Sequence, residues 1–201
     1  MNAMLDLAEV GSGFSNPVMT SQAVFRAGLH ALSRPGTVVG IDSDAEPPQG
    51  VGKAACAMLL SLLDLDTSLW IAPSFARGTQ DYFRFHTGCV IAGAAPQADF
   101  LLIGCGDALP TLGTLRSGNE YFPEHSTTVI REVSRMQAGP GRRWTGPGID
   151  SEIELDIPEV DFGFVREWRQ SWRLFPRGVD IFLTCGARLC GLPRTTQIHT
   201  A

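Results

Sequence analysis

From Lys53 to Leu63 the chain is apolar at almost every position: Ala54, Ala55, Cys56, Ala57, Met58, Leu59, Leu60, Leu62 and Leu63. The spacing predicts a helix, and a helix with no polar face must be enclosed on most sides. Asp64, Asp66 and Thr67 close it. A chain of 201 residues is long enough to supply the surrounding layers. Whatever else the chain does, it must build structure around this helix.

The flanking segments indicate what those layers are. Thr20 or Ser21 is the expected N-cap of a helix running to Ser33, with Val24, Phe25, Leu29 and Leu32 at helical spacing and Pro35-Gly36 as the stop. Strands are predicted at Thr37–Ile41, Ser68–Ala72, Phe100–Gly104, Thr127–Val133 and Arg142–Thr145. Leu109–Leu115 reads as a weak helix. Phe162–Leu174 reads as an amphipathic one. Val179–Cys185 and Arg188–Pro193 flank Gly186-Ala187, the pattern of a hairpin with a type II′ turn. In that register Cys185 faces Arg188 and Cys190 faces Leu183. The two cysteines are then diagonal neighbours, about 7–8 Å apart, too far for an unstrained disulfide. Irregular alternation of helices with strands, one pair antiparallel, predicts an α/β fold with a mixed sheet. The expected organisation is a flexible N-terminal arm over 1–15 and a single α/β domain over 16–201.

Charge narrows the partners. A net charge of −5 argues against nucleic acid, which demands clustered Lys and Arg. Fifteen arginines accompany a single lysine, Lys53, so Schiff-base chemistry has one candidate only. No run of eighteen apolar residues predicts a membrane span. Met1–Ser15 carries Asp6 and Glu9 but no basic residue, so a signal peptide is not expected and a cytoplasmic protein is. Five cysteines, mostly in apolar settings and without a Cys-x-x-Cys pair, read as reduced, inert thiols. The four histidines are too dispersed to support a zinc site. Neither a glycine-rich phosphate loop nor a Gly-x-Ser-x-Gly elbow occurs, and Gly11-Ser12-Gly13 has no preceding strand to give it meaning.

Four short constellations remain. Asp81-Tyr82-Phe83-Arg84-Phe85-His86-Thr87, read as extended, puts Phe83 and Phe85 on one face and Arg84 and His86 on the other. Such a pair suits either an internal lock or a contact with an anion or partner. A short helix over Ala76–Phe83 is expected to lead into this segment. Pro123-Glu124-His125-Ser126-Thr127 offers Glu124 and His125 for acid–base work or forms a plain polar loop. Thr145-Gly146-Pro147-Gly148-Ile149 is a sharp turn. Pro193-Arg194-Thr195-Thr196 sets a guanidinium fork beside two hydroxyls, suited to a phosphate, a carboxylate or the pinning of the chain end.

These motifs resemble, in order and spacing, those of the PhnH family of the bacterial carbon–phosphorus lyase core complex. The matching segments include Phe25-Arg26 through Gly36, Leu59-Leu60 through Thr67, Arg84–Thr87, Pro123-Glu124 with Thr127, Gly146–Ile149, Phe175–Asp180, Leu183–Gly186 and Leu192–Thr196. The first fifteen residues and the stretch 138–142 depart from the pattern. The resemblance implies a three-layer α/β sandwich similar to the large domain of pyridoxal-phosphate-dependent transferases, with no pyridoxal phosphate and no other cofactor. It implies a homodimer in isolation and, as partners, the other subunits of the complex. That complex displaces adenine from a nucleoside triphosphate with an alkylphosphonate. No catalytic residue carries over.

Two readings result. In the first, the chain is a supporting subunit, inactive alone. In the second, it is a stand-alone phosphonate- or phosphate-binding enzyme. Arg84, His86, Arg194, Thr195 and Thr196 would then converge on one pocket, with Glu124 or Asp180 as base. Ion pairs of Arg84 and Arg194 with acids such as Asp64, Asp66 or Asp180 inside the fold would rule out the second. Either way Trp168 or Trp172 is expected on an exposed face available for self-association.

Overall fold

In the computed structural model, which describes residues 10–199, the apolar helix is enclosed as its composition requires. This helix, α2 (Lys53–Leu62), follows α1 (Pro17–Ser33) and β1 (Val38–Gly40). Every residue from Ala54 to Leu59 is buried. It packs on α1, on α3 (Arg77–Thr87) and on the sheet.

The sheet has seven strands. In spatial order they are β1, β9 (Arg188–Leu192), β8 (Asp180–Cys185), β5 (Thr128–Glu132), β4 (Phe100–Ile103), β2 (Ser68–Ile71) and β3 (Val90–Ile91). Strands β3, β2, β4, β5 and β8 are mutually parallel, while β9 runs antiparallel to β8 and to β1. The sheet is therefore mixed. A second, antiparallel sheet joins β10 (Gln197–His199), β6 (Gln137–Thr145) and β7 (Ile153–Asp156).

Alternation along the strands fills both faces. Leu69, Leu102, Ile130 and Phe182 meet α1–α3. Leu101, Ile103, Val129, Ile181 and Leu183 meet α4 (Phe162–Trp172) and the small sheet, including Trp144 and Trp168. Burial on both faces explains why β4 reads as a continuous apolar run.

The hairpin has the expected register. Cys185 lies opposite Arg188 and Cys190 opposite Leu183, and all five cysteines are free thiols. Gly186 has φ +62° and Ala187 is not in the left-handed region, the combination of a type II′ turn.

Other expectations are corrected. Helix α1 begins four residues early, because Asn16 caps it by accepting from the Met19 amide and Pro17 suits the first turn. Only a single 3₁₀ turn forms within Leu109–Leu115. Strands β3, β7 and β10 were not expected, and a separate second sheet was not. The Asp81–Thr87 segment is the last part of α3 rather than extended. Four residues of alternation do not distinguish a period of 2 from 3.6. In the helix Tyr82 and Phe83 are buried whereas Phe85 is exposed. Trp168 is 1% exposed and belongs to the core, while Trp172 at 37% stays at the surface. Of the expected 1–15 arm, residues 1–9 lie outside the described residues. Residues 10–15 are tied down: Ser12 O accepts from Tyr82 Oη and the Glu46 amide, and Ser15 bonds Asp44.

Candidate functional site

Arg194 lies just beyond β9, and its side chain, 12% exposed, is fully engaged within the fold. Nε is 3.2 Å from each carboxylate oxygen of Asp180, the first residue of β8. Nη1 donates to the carbonyls of Pro123 (2.9 Å) and Pro176 (3.2 Å). Nη2 donates to Ser126 Oγ (2.7 Å) and to Asp180 Oδ2 (2.5 Å). The Arg194 amide also reaches Asp180 Oδ1 at 2.8 Å. A guanidinium has five N–H groups in a fixed fork, and every one has an acceptor here. The fork ties the 123–126 loop, the 176 bend and the starts of two chain segments together, and keeps no donor for an external anion.

The neighbouring candidates share this region. Glu124 is exposed and 3.9 Å from His125. Thr195 is half-buried. Thr196 is fully buried, its carbonyl accepts from Trp168 Nε1 at 2.8 Å, and its hydroxyl has no partner among the described residues. The Thr145–Ile149 turn is wedged beside them. Gly148 has φ +84°, and a Cβ there would lie 2.1 Å from the Ser33 carbonyl, so only glycine allows the turn to meet the end of α1.

Arg84 and His86 stand elsewhere, on α3. Arg84 pairs with Asp81 one turn earlier at 2.7 Å, on the exposed side. His86 Nε2 lies 2.9 Å from the Gly11 carbonyl and so donates to it. A Cβ on Gly13 would lie 2.9 Å from His86 Nδ1. The Gly11-Ser12-Gly13 stretch thus has a packing role that its sequence context hides. No hydrogen bond or ion pair joins the Arg84–His86 group to the Arg194 group among the described residues. Among these residues, too, no cluster of three or more His, Cys, Asp or Glu is placed to hold a metal ion. Lys53 is exposed in the first turn of α2.

The carboxyl ends of parallel strands, where α/β folds usually bind ligands, hold charges that the sequence reading passed over. Arg131 and Glu132 end β5 on opposite faces. Arg131 is buried, with its guanidinium carbon 5.6 Å from the Phe164 ring centre. Burial pulls its pKa down against the opposing pull of Glu159 and Asp161. Glu132 accepts from the Gly52 amide at the start of α2, and burial raises its pKa despite that bond. A crevice of about 320 Å³ beside Arg131 is lined by Asp107, Glu159, Asp161, Glu167 and Arg166.

Each of these carboxylates is already occupied. Asp107 takes Ser74 Oγ (2.5 Å) and the Gly104 amide (3.0 Å). Asp161 caps α4 through the Phe164 amide at 2.8 Å, and Glu167 takes the Leu112 amide at 3.3 Å. Burial works to raise the pKa of Glu159, yet hydrogen bonds from the Cys105 thiol (3.0 Å) and the Ser134 amide (2.8 Å) outweigh it and leave that pKa lowered. Four acids against two arginines make a poor anion site. The readable signal was an Arg-Glu pair closing the strand.

Cys56, Cys89, Cys105 and Cys190 all have raised thiol pKa values. Burial raises Cys56 to about 11 and Cys190 to about 12. Cys105 is exposed, against the expectation from its apolar neighbours, and its pKa is raised by its bond to Glu159 first and by burial second.

Fold and polar groups together define a mixed α/β protein whose signature motifs serve largely to fasten its own segments. Comparison with known proteins gives the particular family. The model of PhnH, bacterial phosphonate metabolism protein, matches residues 12–199. The chain belongs to the PhnH family. It is 32% identical over 197 residues to the "Alpha-D-ribose 1-methylphosphonate 5-triphosphate synthase subunit PhnH" of Rhizobium meliloti (strain 1021), covering 96% of this chain and 97% of that protein. It is 35% identical over 182 residues to a Stutzerimonas stutzeri protein, HtxG, described as a candidate C-P lyase subunit, covering 89% of this chain and 85% of that one.

Proposed function

We propose that this chain is the PhnH-type subunit of a carbon–phosphorus lyase assembly in alkylphosphonate utilisation. It supports transfer of the phosphonate onto the ribose C1 of a nucleoside triphosphate, with release of the base, and is inactive alone. The observation that carries this reading is the family match along nearly the whole chain, with both relatives named as subunits. The saturation of Arg194 by Asp180 and three other acceptors favours it over a stand-alone phosphonate-binding enzyme, which needed that fork free.

In this reading residues 10–199 act as one domain, a three-layer sandwich arranged like the large domain of pyridoxal-phosphate-dependent transferases. Five parallel strands covered on both faces support that likeness. The chain works without a cofactor, in the cytoplasm, and forms a homodimer when isolated. Arg84, Glu124 and Thr195, the exposed or half-exposed candidates, are offered to partners. His86, Arg194 and Thr196 hold the surfaces that carry them.

The test is reconstitution. The purified chain is incubated with ATP and methylphosphonate, alone and with the remaining subunits of its own complex. Adenine release should require the full set and should fail when this chain is omitted. Release by this chain alone overturns the reading.

A further inference from the structure

Helix α4 and its C-cap residue present three arginines in one row: Arg166, Arg169 and Arg173, spaced by three and four residues. All three are exposed, and none has an ion-pair partner among the described residues. Like charges at this spacing disfavour an isolated helix, and the row stands out on a chain of net charge −5. The acids closest in sequence are otherwise used, Asp161 as the cap of α4 and Glu167 on the Leu112 amide. Arg169 is anchored rather than loose, since its Nε donates to the Ile198 carbonyl at 3.4 Å.

Beside the row lies an apolar groove of about 530 Å³, lined by Pro147, Trp172, Phe175, Thr195 and Gln197. Trp172 and Phe175 are 37% and 62% exposed. Its floor is rigid, because the Arg194 fork and the Trp168–Thr196 bond fix the strand end beneath it. Exposed tryptophan beside unpaired arginines is the composition of an energetically dominant interface patch. Arginine forks also select carboxylates over neutral groups.

We propose that this face, Arg166, Arg169 and Arg173 with Trp172 and Phe175, docks an acidic segment of another subunit of the assembly, one that also carries an apolar side chain for the groove. The inference rests on the proposed function and names the chemistry of the partner. Carboxylates of the segment pair with the arginine row, and its apolar side chain covers Trp172.

The experiment measures association of the full-length chain with the remaining subunits by interferometry at several salt concentrations. The double variant Arg169→Glu/Arg173→Glu should bind about tenfold or more weakly and lose most of its salt dependence. The charge-matched control Arg77→Glu/Arg188→Glu, away from this face, should bind as the parent does. If the double reversal does not fold, Arg173→Gln, on a side chain with no hydrogen bond among the described residues, carries the test with a smaller loss. Parent-like binding by the folded variants overturns the site alone. A parent chain that does not associate at all overturns the proposed function and the site with it. Two further outcomes also overturn the acidic-segment assignment: loss of ATP binding with assembly intact, or conversion of an isolated dimer to a monomer.

Discussion

Arg194 grips Asp180 with its Nε equidistant, at 3.2 Å, from both carboxylate oxygens, while its two other nitrogens reach carbonyls and a hydroxyl on separate loops. Breaking a largely buried pair by removing one partner strands the other charge, at a cost of about 3–5 kcal/mol. Arg194→Ala should therefore lower unfolding stability by about 3 kcal/mol, read from urea denaturation. Arg194→Lys should recover little of it, because an ammonium cannot span five fixed directions. A loss under about 0.5 kcal/mol, as at an ordinary surface site, would show that the fork is not a lock.

His86 and Gly13 make a second, smaller lock. A methyl on Gly13 would press on His86 Nδ1, 2.9 Å from the ideal Cβ. Gly13→Ala should cost about 1–3 kcal/mol, the range for overpacking. In an His86→Ala background the same change should cost far less, since the obstructing ring is gone. Equal costs in both backgrounds, measured by thermal unfolding, would place the origin of the effect elsewhere.

Cys105 is exposed yet should react slowly. Its thiol donates to Glu159, and a thiolate there would face a carboxylate. Glu159→Gln should lower the thiol pKa and speed iodoacetamide labelling of Cys105 several-fold near neutral pH. Peptide mass spectrometry separates this residue from Cys185. Unchanged labelling would mean that Glu159 does not set the thiol's protonation.

The sequence carried the layers well where one physical rule dominated. An all-apolar helix has to be buried, and α2 is. A two-residue turn fixes a register, and Cys185 and Cys190 fall where it puts them. It carried the locks poorly. The alternation in Phe83-Arg84-Phe85-His86 served two periods equally, so the helix expected to stop at Phe83 runs on to Thr87. Arg194 was visible as a fork suited to an anion. That the anion is Asp180, fourteen residues back, depends on the β8–β9 pairing. Strand β7 was hidden because it is only four residues long.

The pH dependence of stability can be traced to Glu132. Burial raises its folded pKa above the ordinary value of 4.5, against the pull of the Gly52 amide. An acid with a raised folded pKa binds its proton more tightly when folded. Its stabilising share is complete below about pH 4.5 and is lost as pH rises through the folded pKa, above which the buried carboxylate is a constant cost. Other carboxylates move the opposite way: Asp44 and Asp156 are lowered by hydrogen bonds from Ser15 and Arg135, so what they contribute is lost as pH falls. Total stability therefore mixes both signs, and the informative quantity is the difference between parent and Glu132→Gln. The amide keeps an acceptor for Gly52 but cannot ionise. Relative to the parent, the variant should gain stability steadily as pH is raised from 4.5 and reach a plateau once the pH has passed the folded pKa of Glu132. A difference that is flat with pH in paired denaturation curves would mean that Glu132 titrates in the fold as it does in the unfolded chain.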